Sequence, residues 1–224
     1  MTGISIEKHA LKFNGSGYFM DNAQLVKLGT HGEKAGLIGS VGKLEPKGQL
    51  AQDRFEDKIR SAGPYLLDTA STTKADFTGS VAANLVVAGF SGSTSAMYDA
   101  FKVGHLKLVQ LYVLETPMVD AVNGAPKARD AIHGYGSDGR IVHSIIIALE
   151  ASLAEGLTAS ASVNASVDVG GILSVSIGGG VGGGQVQKIV LPPQATLAYG
   201  LLKLEWSSRD DRFNGSHVDE TGLL

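Results

Sequence analysis

Two stretches of the chain alternate apolar and polar residues over unusually long runs. In residues 77–87 every second position is apolar or glycine, and the positions between are mostly small or polar. Residues 158–169 repeat this pattern, with alanine and valine alternating with serine, threonine, asparagine and aspartate. Because neighbouring side chains of a strand point to opposite faces, both stretches predict extended strands with one apolar face.

The second stretch continues into a predicted hairpin. Gly170 and Gly171 both tolerate positive φ and suit a two-residue turn. The return strand keeps the period, and its apolar positions are Leu173, Val175 and Ile177. Strands this rich in Ala, Ser and Gly bury little apolar area. The first strand, moreover, exceeds the usual length of about 5–6 residues. It meets the length of about 9–11 residues that a transmembrane β-strand needs.

The rest of the pattern predicts short helices and strands that do not alternate strictly. Helices are predicted over residues 4–13, 52–61 and 116–132, the last broken at residues 124–126. Strands are predicted over residues 22–28, 35–43, 105–115, 140–150, 185–190 and 196–206. This mixture predicts an α+β fold with a mostly antiparallel, twisted sheet. The polar residues 207–224 are expected to form a flexible tail.

The amino-acid composition excludes several functional classes of protein. The 224 residues carry a formal net charge of −3 and no cysteine. A nucleic-acid-binding protein would usually be basic, so no nucleic-acid partner is expected. The absence of cysteine excludes disulfides and thiolate chemistry. Neither an 18-residue apolar run nor a signal peptide is recognisable, so a cytoplasmic chain is expected. Thirty glycines are roughly twice the usual share of about 7%.

The sequence motifs do not indicate a set of catalytic residues. The six histidines lack metal-ligand spacing, so no metal site is expected. Residues 178–183 fit GxGxxG, but a match inside a glycine run is close to certain by chance. Ser91, Ser93 and Ser95 lack a convincing partner for nucleophilic catalysis. We therefore expect neither enzymatic activity nor a cofactor.

The segment LPPQATLAYGLLKLEW, residues 191–206, resembles a signature near the end of the gasdermin pore-forming domain. That signature is an Ile-Pro-x-Gly-Thr-x-Leu-Ala-Tyr-type turn followed by an alternating strand. The matching positions are Pro192, Leu197, Ala198 and Tyr199, with Leu191 in place of Ile. Gln194-Ala195 stand where Gly-Thr is usual. The predicted element order over residues 5–206 is also similar, and the short fungal regulator-of-cell-death gasdermins of allorecognition resemble the chain most.

This resemblance implies a pore-forming domain over residues 1–206 that has no C-terminal inhibitory domain. It implies a cytoplasmic monomer that binds acidic lipid, of cardiolipin or phosphatidylserine type, on the inner leaflet of the plasma membrane. The monomers would then oligomerise and insert two hairpins as a large transmembrane β-barrel that causes cell death. The short fungal type further implies activation by an incompatible allelic variant, as in heterokaryon incompatibility, giving homo- or hetero-oligomers.

The resemblance also implies roles for individual residues. Lys8 and Lys12, on the predicted first helix, would contact lipid headgroups; a solvated helix face is the alternative. The lipid-facing positions of the inserting segments would be Phe77, Val81, Leu85, Val87, Val163, Val167, Val175 and Ile177. The pore-lining positions would be Ser160, Ser162, Asn164, Ser166 and Asp168.

Two other interpretations remain open from the residues alone. The chain could be a soluble, non-enzymatic binding or scaffold protein whose Gly/Ser-rich hairpin is an adaptable loop. It could also be a hydrolase that uses a serine of residues 91–95. Leakage from acidic liposomes separates the pore former from both alternatives.

Overall fold

A computed structural model gives the fold of the chain. It describes residues 3–7, 10–13, 15–36, 42–82, 85–159, 163–168, 172–177, 187–192 and 194–223. For residues 159, 163–168, 172–177 and 187–189 the description concerns the backbone.

Short strands dominate the first third of the chain, and helices lie between the longer strands that follow. The first strands are β1 (Ser5–Glu7), β2 (Ala10–Phe13), β3 (Ser16–Phe19), β4 (Thr30–Ala35), β5 (Lys43–Gln49) and β6 (Arg60–Tyr65). There follow α1 (Lys74–Ser80), α2 (Thr94–Lys102), β7 (Leu106–Tyr112), α3 (Glu115–Asn123), α4 (Pro126–Gly134), β8 (Gly139–Glu150) and α5 (Ala151–Ala159). The last strands are β9 (Val163–Asp168), β10 (Ile172–Ile177), β11 (Gln187–Leu191), β12 (Thr196–Ser207) and β13 (Arg212–Asp219). Short 3-10 helices span Ala23–Leu25, Gln52–Arg54, Glu56–Lys58 and Gly136–Asp138.

Two long strands, β8 and β12, form the centre of the main sheet. Among the described residues, ten strands join this sheet, in the order β1-β2-β3-β12-β8-β4-β5. In addition, β13 pairs with β12, and β7 joins β8 to β6. All the pairs with a described register are antiparallel, which confirms the α+β class with an antiparallel sheet.

Strand β8 is buried on both faces, and this explains its nearly continuous apolar sequence. Ile145 and Ile147 belong to one buried cluster, together with residues of α3, α4 and α5. Ile146 and Ala148 belong to a second cluster, together with residues of α1 and α2. The central sheet therefore separates two hydrophobic layers.

The elements predicted from strong apolar patterns are confirmed. Strands β7, β8 and β12 lie where they were expected, and the helical stretch divides into α3 and α4 at the predicted break. Pro126 occupies the first turn of α4, where its missing N–H costs no hydrogen bond.

The predicted first helix is wrong, because β1 and β2 are antiparallel paired strands. Ser5 pairs with Lys12 and Glu7 with Ala10. Ile4 and Ile6 are buried, as are Leu11 and Phe13. This burial follows a period of two, which fits a strand and not a helix. Lys8 lies outside the described residues.

The predictions for residues 22–61 are only partly right. A strand pair exists, but it consists of β4 and β5, because residues 23–25 form a 3-10 helix after Asn22 in a left-handed conformation, φ 63°. The predicted helix over residues 52–61 is replaced by two 3-10 helices and the start of β6. Pairing of Arg60 and Ser61 with β7 ends the helical conformation.

The predicted C-terminal tail is also wrong, since β13 pairs with β12 and buries Phe213. The buried Asp219 carboxylate accepts hydrogen bonds from Lys34 Nζ at 2.8 Å and Arg140 Nε at 2.6 Å. Burial opposes ionisation of Asp219, but the bonds from Lys34, Thr221 and Arg140 outweigh it and lower its pKa below the ordinary value. The polar composition of this segment did not predict these buried contacts. Residues 207–223 are part of the folded domain.

Candidate functional site

The first candidate inserting segment begins as a helix, which corrects the predicted strand. Helix α1 has a capping box at its start, in which Thr73 Oγ1 accepts from Asp76 N at 3.1 Å. The Asp76 carboxylate accepts from Thr73 N at 3.3 Å. These bonds satisfy backbone donors that a first helical turn leaves free. Beyond α1, the described residues up to Phe90 form isolated bridges only, including Ala88 with Leu149.

The predicted lipid-facing residues of this segment are divided between the helix and the chain after it. Phe77 lies in α1, Val81 is its C-cap in an extended conformation, and Leu85 lies beyond the helix. All three are buried, and so is Val87. The ring of Phe77 lies 5.7 Å from those of Tyr98 and Phe101 on α2. The predicted lipid-facing side chains of this segment are therefore core side chains in the folded monomer.

The second candidate segment contains the predicted hairpin, but in a shorter form. Residues 158 and 159 belong to α5, and Thr158 Oγ1 donates to the Ala154 carbonyl at 2.9 Å. Strands β9 and β10 then pair with Asp168 opposite Ile172. Three residues, 169–171, therefore separate the paired ends, where a two-residue turn was predicted. Ser160 and Ser162 lie outside the described residues.

The register of this hairpin keeps apolar positions together. Val163 pairs with Ile177, and Val167 pairs with Leu173. Asn164 and Ser166 pair with serines of β10. Because directly paired positions lie on the same face of a sheet, the register agrees with the predicted apolar and polar faces from Val163 to Val167, whereas Asp168 pairs with the apolar Ile172.

The hairpin belongs to a small sheet of its own. Strand β10 lies between β9 and β11, and these three strands form a sheet separate from the main one among the described residues. In the chain, the small sheet follows helix α5 and precedes strand β12, both of which belong to the core. It is thus attached to the core at both ends.

The segment that carries the gasdermin-like signature joins the small sheet to the core. Leu197, Ala198 and Tyr199 are buried. Tyr199 OH donates to the Asp21 carbonyl and accepts from Leu44 N, both at 2.9 Å, and burial raises its pKa. Gln194, with a left-handed φ of 73°, accepts a hydrogen bond from Val86 N at 3.2 Å. This bond ties the end of the first segment to the turn after β11, and no local sequence pattern predicts it.

The remaining candidate residues have less distinctive surroundings. Lys12 is half-buried on β2, where Ser5 and Gly17 are its cross-strand neighbours. Its proposed contact with headgroups stays a prediction. Ser93 caps helix α2 by accepting from Ala96 N at 3.3 Å, which gives it a structural role.

Neither a metal-binding group nor a membrane-spanning helix is found in the part of the chain that the structure describes. Within the described ranges, His, Asp and Glu side chains nowhere form a group of three that could hold a metal ion. In the same part of the chain, helices long and apolar enough to cross a membrane are not found.

Comparisons of the chain with protein-family models, curated proteins and solved structures give no match.

Proposed function

We propose that this protein is a gasdermin-like pore former, which binds acidic membranes and inserts residues 76–90 and 158–177 as strands of an oligomeric β-barrel. In this proposal the monomer acts on the inner leaflet of the plasma membrane and causes cell death. Lys8 and Lys12 would contribute to attraction by lipid headgroups. The proposed function includes no catalytic step.

The register of β9 and β10 is the observation that carries the proposal. A membrane strand needs apolar positions on one face and polar positions on the other. The paired positions of this hairpin are segregated in that way from Val163 to Val167, and Asp168 pairs with the apolar Ile172. Because these strands belong to a small separate sheet, they can leave the monomer without breaking the β8–β12 pairing of the main sheet.

The first segment would have to change its secondary structure. Helix α1 would unfold, and Phe77, Val81 and Leu85 would exchange a protein core for lipid. Both environments are apolar, so the hydrophobic cost of this exchange is small. The lost helical hydrogen bonds would be replaced by pairing between strands, which a bilayer demands of every backbone group.

Assembly would supply the trigger. A single inserted hairpin leaves two unpaired edges in lipid, whereas neighbours in a closed ring satisfy them. Insertion should therefore depend steeply on oligomerisation, either with identical copies or with an allelic variant. Expression of the chain alone should be tolerated by a cell, and co-expression with an incompatible variant should kill it.

Dye release from liposomes tests the proposal. We expect release from vesicles that contain cardiolipin or phosphatidylserine, and little release from phosphatidylcholine vesicles. Rings should be visible by electron microscopy on the leaking vesicles. Intact acidic vesicles without rings, at protein concentrations that saturate binding, would favour a soluble binding protein instead.

A further inference from the structure

The small sheet of β9, β10 and β11 packs on the rest of the molecule mainly through β9. Among the described strands, no ladder of hydrogen bonds joins this sheet to the main sheet. Outside its own sheet, β9 contacts the 3-10 helices of residues 52–58 more extensively than any other described element. We call these residues, QDRFEDK, the brace. The candidate inserting hairpin is therefore held to the core by packing and not by strand pairing.

The brace is fixed to the core by one side chain. Phe55 is fully buried, in the hydrophobic cluster that also contains residues of β8 and β12. Its ring lies against Gly29, where an added Cβ would be 2.8 Å from two ring atoms. Gly29 N in turn donates to the Val142 carbonyl of β8 at 2.8 Å. The anchor of the brace is thus close to the central strand of the main sheet.

The other residues of the brace contribute little to holding it in place. Phe55 is the one buried residue of the seven, because Gln52 and Glu56 are half-buried and the rest are exposed. The side-chain nitrogen of Gln52 is buried without a hydrogen-bond partner among the described residues. Such a donor favours conformations in which water reaches it. A segment that depends on one aromatic ring can open locally while the main sheet stays folded.

We propose that the brace is an intramolecular restraint on insertion. While Phe55 stays in the core, residues 52–58 hold β9 against the folded domain. When Phe55 leaves the core, the hairpin loses its main contact and becomes free to move to the membrane. The release of the brace, and not the unfolding of the main sheet, then sets the rate of insertion. This inference rests on the proposed pore-forming function and names the regulation of its inserting hairpin.

The composition of the hairpin fits a restraint at this position. Strand β9 reads VNASVD, and small side chains such as alanine and serine bury little apolar area. A strand of this kind depends on its neighbours for its position, so loosening the brace should make β9 more mobile. The sequence alone did not indicate this contact, because the brace and β9 are about a hundred residues apart in the chain.

Thiol labelling in solution tests the contact without a membrane. The chain has no cysteine, so single cysteines at residues 163–168 report in turn how readily each position of β9 becomes accessible. Phe55→Leu should weaken the anchor and accelerate labelling of the slowest positions several-fold. Phe213→Leu is the matched control, because it makes the same change in the same buried cluster, on β13. It should leave the labelling rates of β9 nearly unchanged, and equal rates in the two variants would overturn the inference.

Dye release then connects the brace to insertion. Phe55→Leu should release dye from acidic vesicles several-fold faster than Phe213→Leu at equal vesicle binding, with the urea stability of both variants measured. If labelling distinguishes the variants but no vesicle leaks, the pore proposal fails and the contact between the brace and β9 stands. If vesicles leak while neither labelling nor dye release distinguishes the variants, the brace is wrong and the pore proposal stands.

A reversible cross-link makes the opposite change. Asp57→Cys, combined in turn with Asn164→Cys and Ser166→Cys, allows a short reducible linker to join the brace to β9. The linked protein should bind acidic vesicles without leakage, and reduction of the linker should restore leakage. The control is Arg60→Cys with Tyr112→Cys, which joins the paired strands β6 and β7 and should leak equally with and without its linker. Undiminished leakage from the protein linked at β9, or failure of both brace pairs to cross-link, would contradict the inference.

Discussion

The two candidate inserting segments share an alternating sequence and are folded in opposite ways. Residues 74–80 form a capped helix with Phe77 between two aromatic rings. Residues 163–177 contain an antiparallel hairpin in a sheet of its own. In the first, a capping box of Thr73 and Asp76 starts a helix that ends at Ser80. In the second, Val163 and Val167 are also four apart, a spacing that a helix would place on one face, yet both belong to a paired strand. Alternation alone therefore does not decide the conformation.

The difference suggests two routes to the same inserted state. The hairpin has its strand pairing already, so its insertion changes the surroundings of β9 and β10 more than their hydrogen bonds. The helical segment must first break its cap, its packing on α2 and the bond from Val86 to Gln194. We expect the hairpin to insert first and the helical segment to follow.

The largest expected effect is on the core packing of the first segment. Phe77→Ala should lower the free energy of unfolding by about 3–5 kcal/mol, because it empties a fully buried aromatic site. Val167→Ala, in the hairpin, should cost less than about 1 kcal/mol. Urea denaturation of both variants measures the contrast. Equal losses would show that the two segments are held equally firmly.

The second effect concerns the faces of the hairpin in the membrane. Val167→Asp should abolish leakage, since a charge on the lipid face costs about 2–4 kcal/mol at the midplane for a basic residue and less for an acidic one. Ser166→Asp should be tolerated, because that side chain would face water in the pore. Dye release at matched vesicle binding compares the two variants. Similar leakage from both would refute the assignment of faces.

A third, smaller effect concerns the scaffold that holds both segments. Burial lowers the pKa of His31 on β4 and of His143 on β8, the latter despite its contact with the Val113 carbonyl. In the unfolded state both histidines have their ordinary pKa of about 6.5, so the unfolded state binds protons more readily than the folded state does. The stability that these buried, neutral histidines contribute above this pH is therefore lost as the pH falls below it. Each unit of pKa difference corresponds to about 1.4 kcal/mol.

Urea denaturation between pH 7 and pH 5 checks this dependence, and His31→Gln should reduce its slope. Asp219 affects stability at lower pH. Its lowered pKa contributes stability above the ordinary carboxyl pKa of about 3.9, and this contribution is lost in stronger acid. A stability that rises on acidification from pH 7 to pH 5 would contradict burial of neutral histidines.

The smallest expected effect tests whether α1 unfolds during insertion. Thr73→Ala removes the helix cap and should cost about 1 kcal/mol of stability while increasing the rate of leakage. Ser93→Ala removes the corresponding cap of α2, which is outside the inserting segments. It should lower stability without faster leakage. Equal acceleration by both variants would attribute the effect to general destabilisation.

The sequence predicted the parts of the fold whose patterns have only one solution. The run RIVHSIIIALE is too apolar for a surface element and became the central strand β8. Pro126 after Gly124 marked the break between α3 and α4. Errors arose where alternation did not decide the conformation, as at Phe77, or where partners are distant in sequence, as for Asp219 with Lys34 and Arg140.

The candidate site was predictable to a similar extent. The pairing of β9 with β10 was predicted from the local alternation and the two glycines, although three residues separate the paired ends where two were expected. The bond between Val86 and Gln194 depends on the packing of distant segments, which local sequence does not encode.

Single-cysteine labelling along β9 tests the central claim most directly. The chain has no cysteine, so an environment-sensitive dye can be attached at each position from 163 to 168 in turn. On acidic liposomes, dyes at Val163, Ala165 and Val167 should shift to the blue and be quenched by lipid-bound quenchers. Dyes at Asn164, Ser166 and Asp168 should respond instead to water-soluble quenchers. A uniform response at all six positions, or no change on adding liposomes, would contradict membrane insertion of this hairpin.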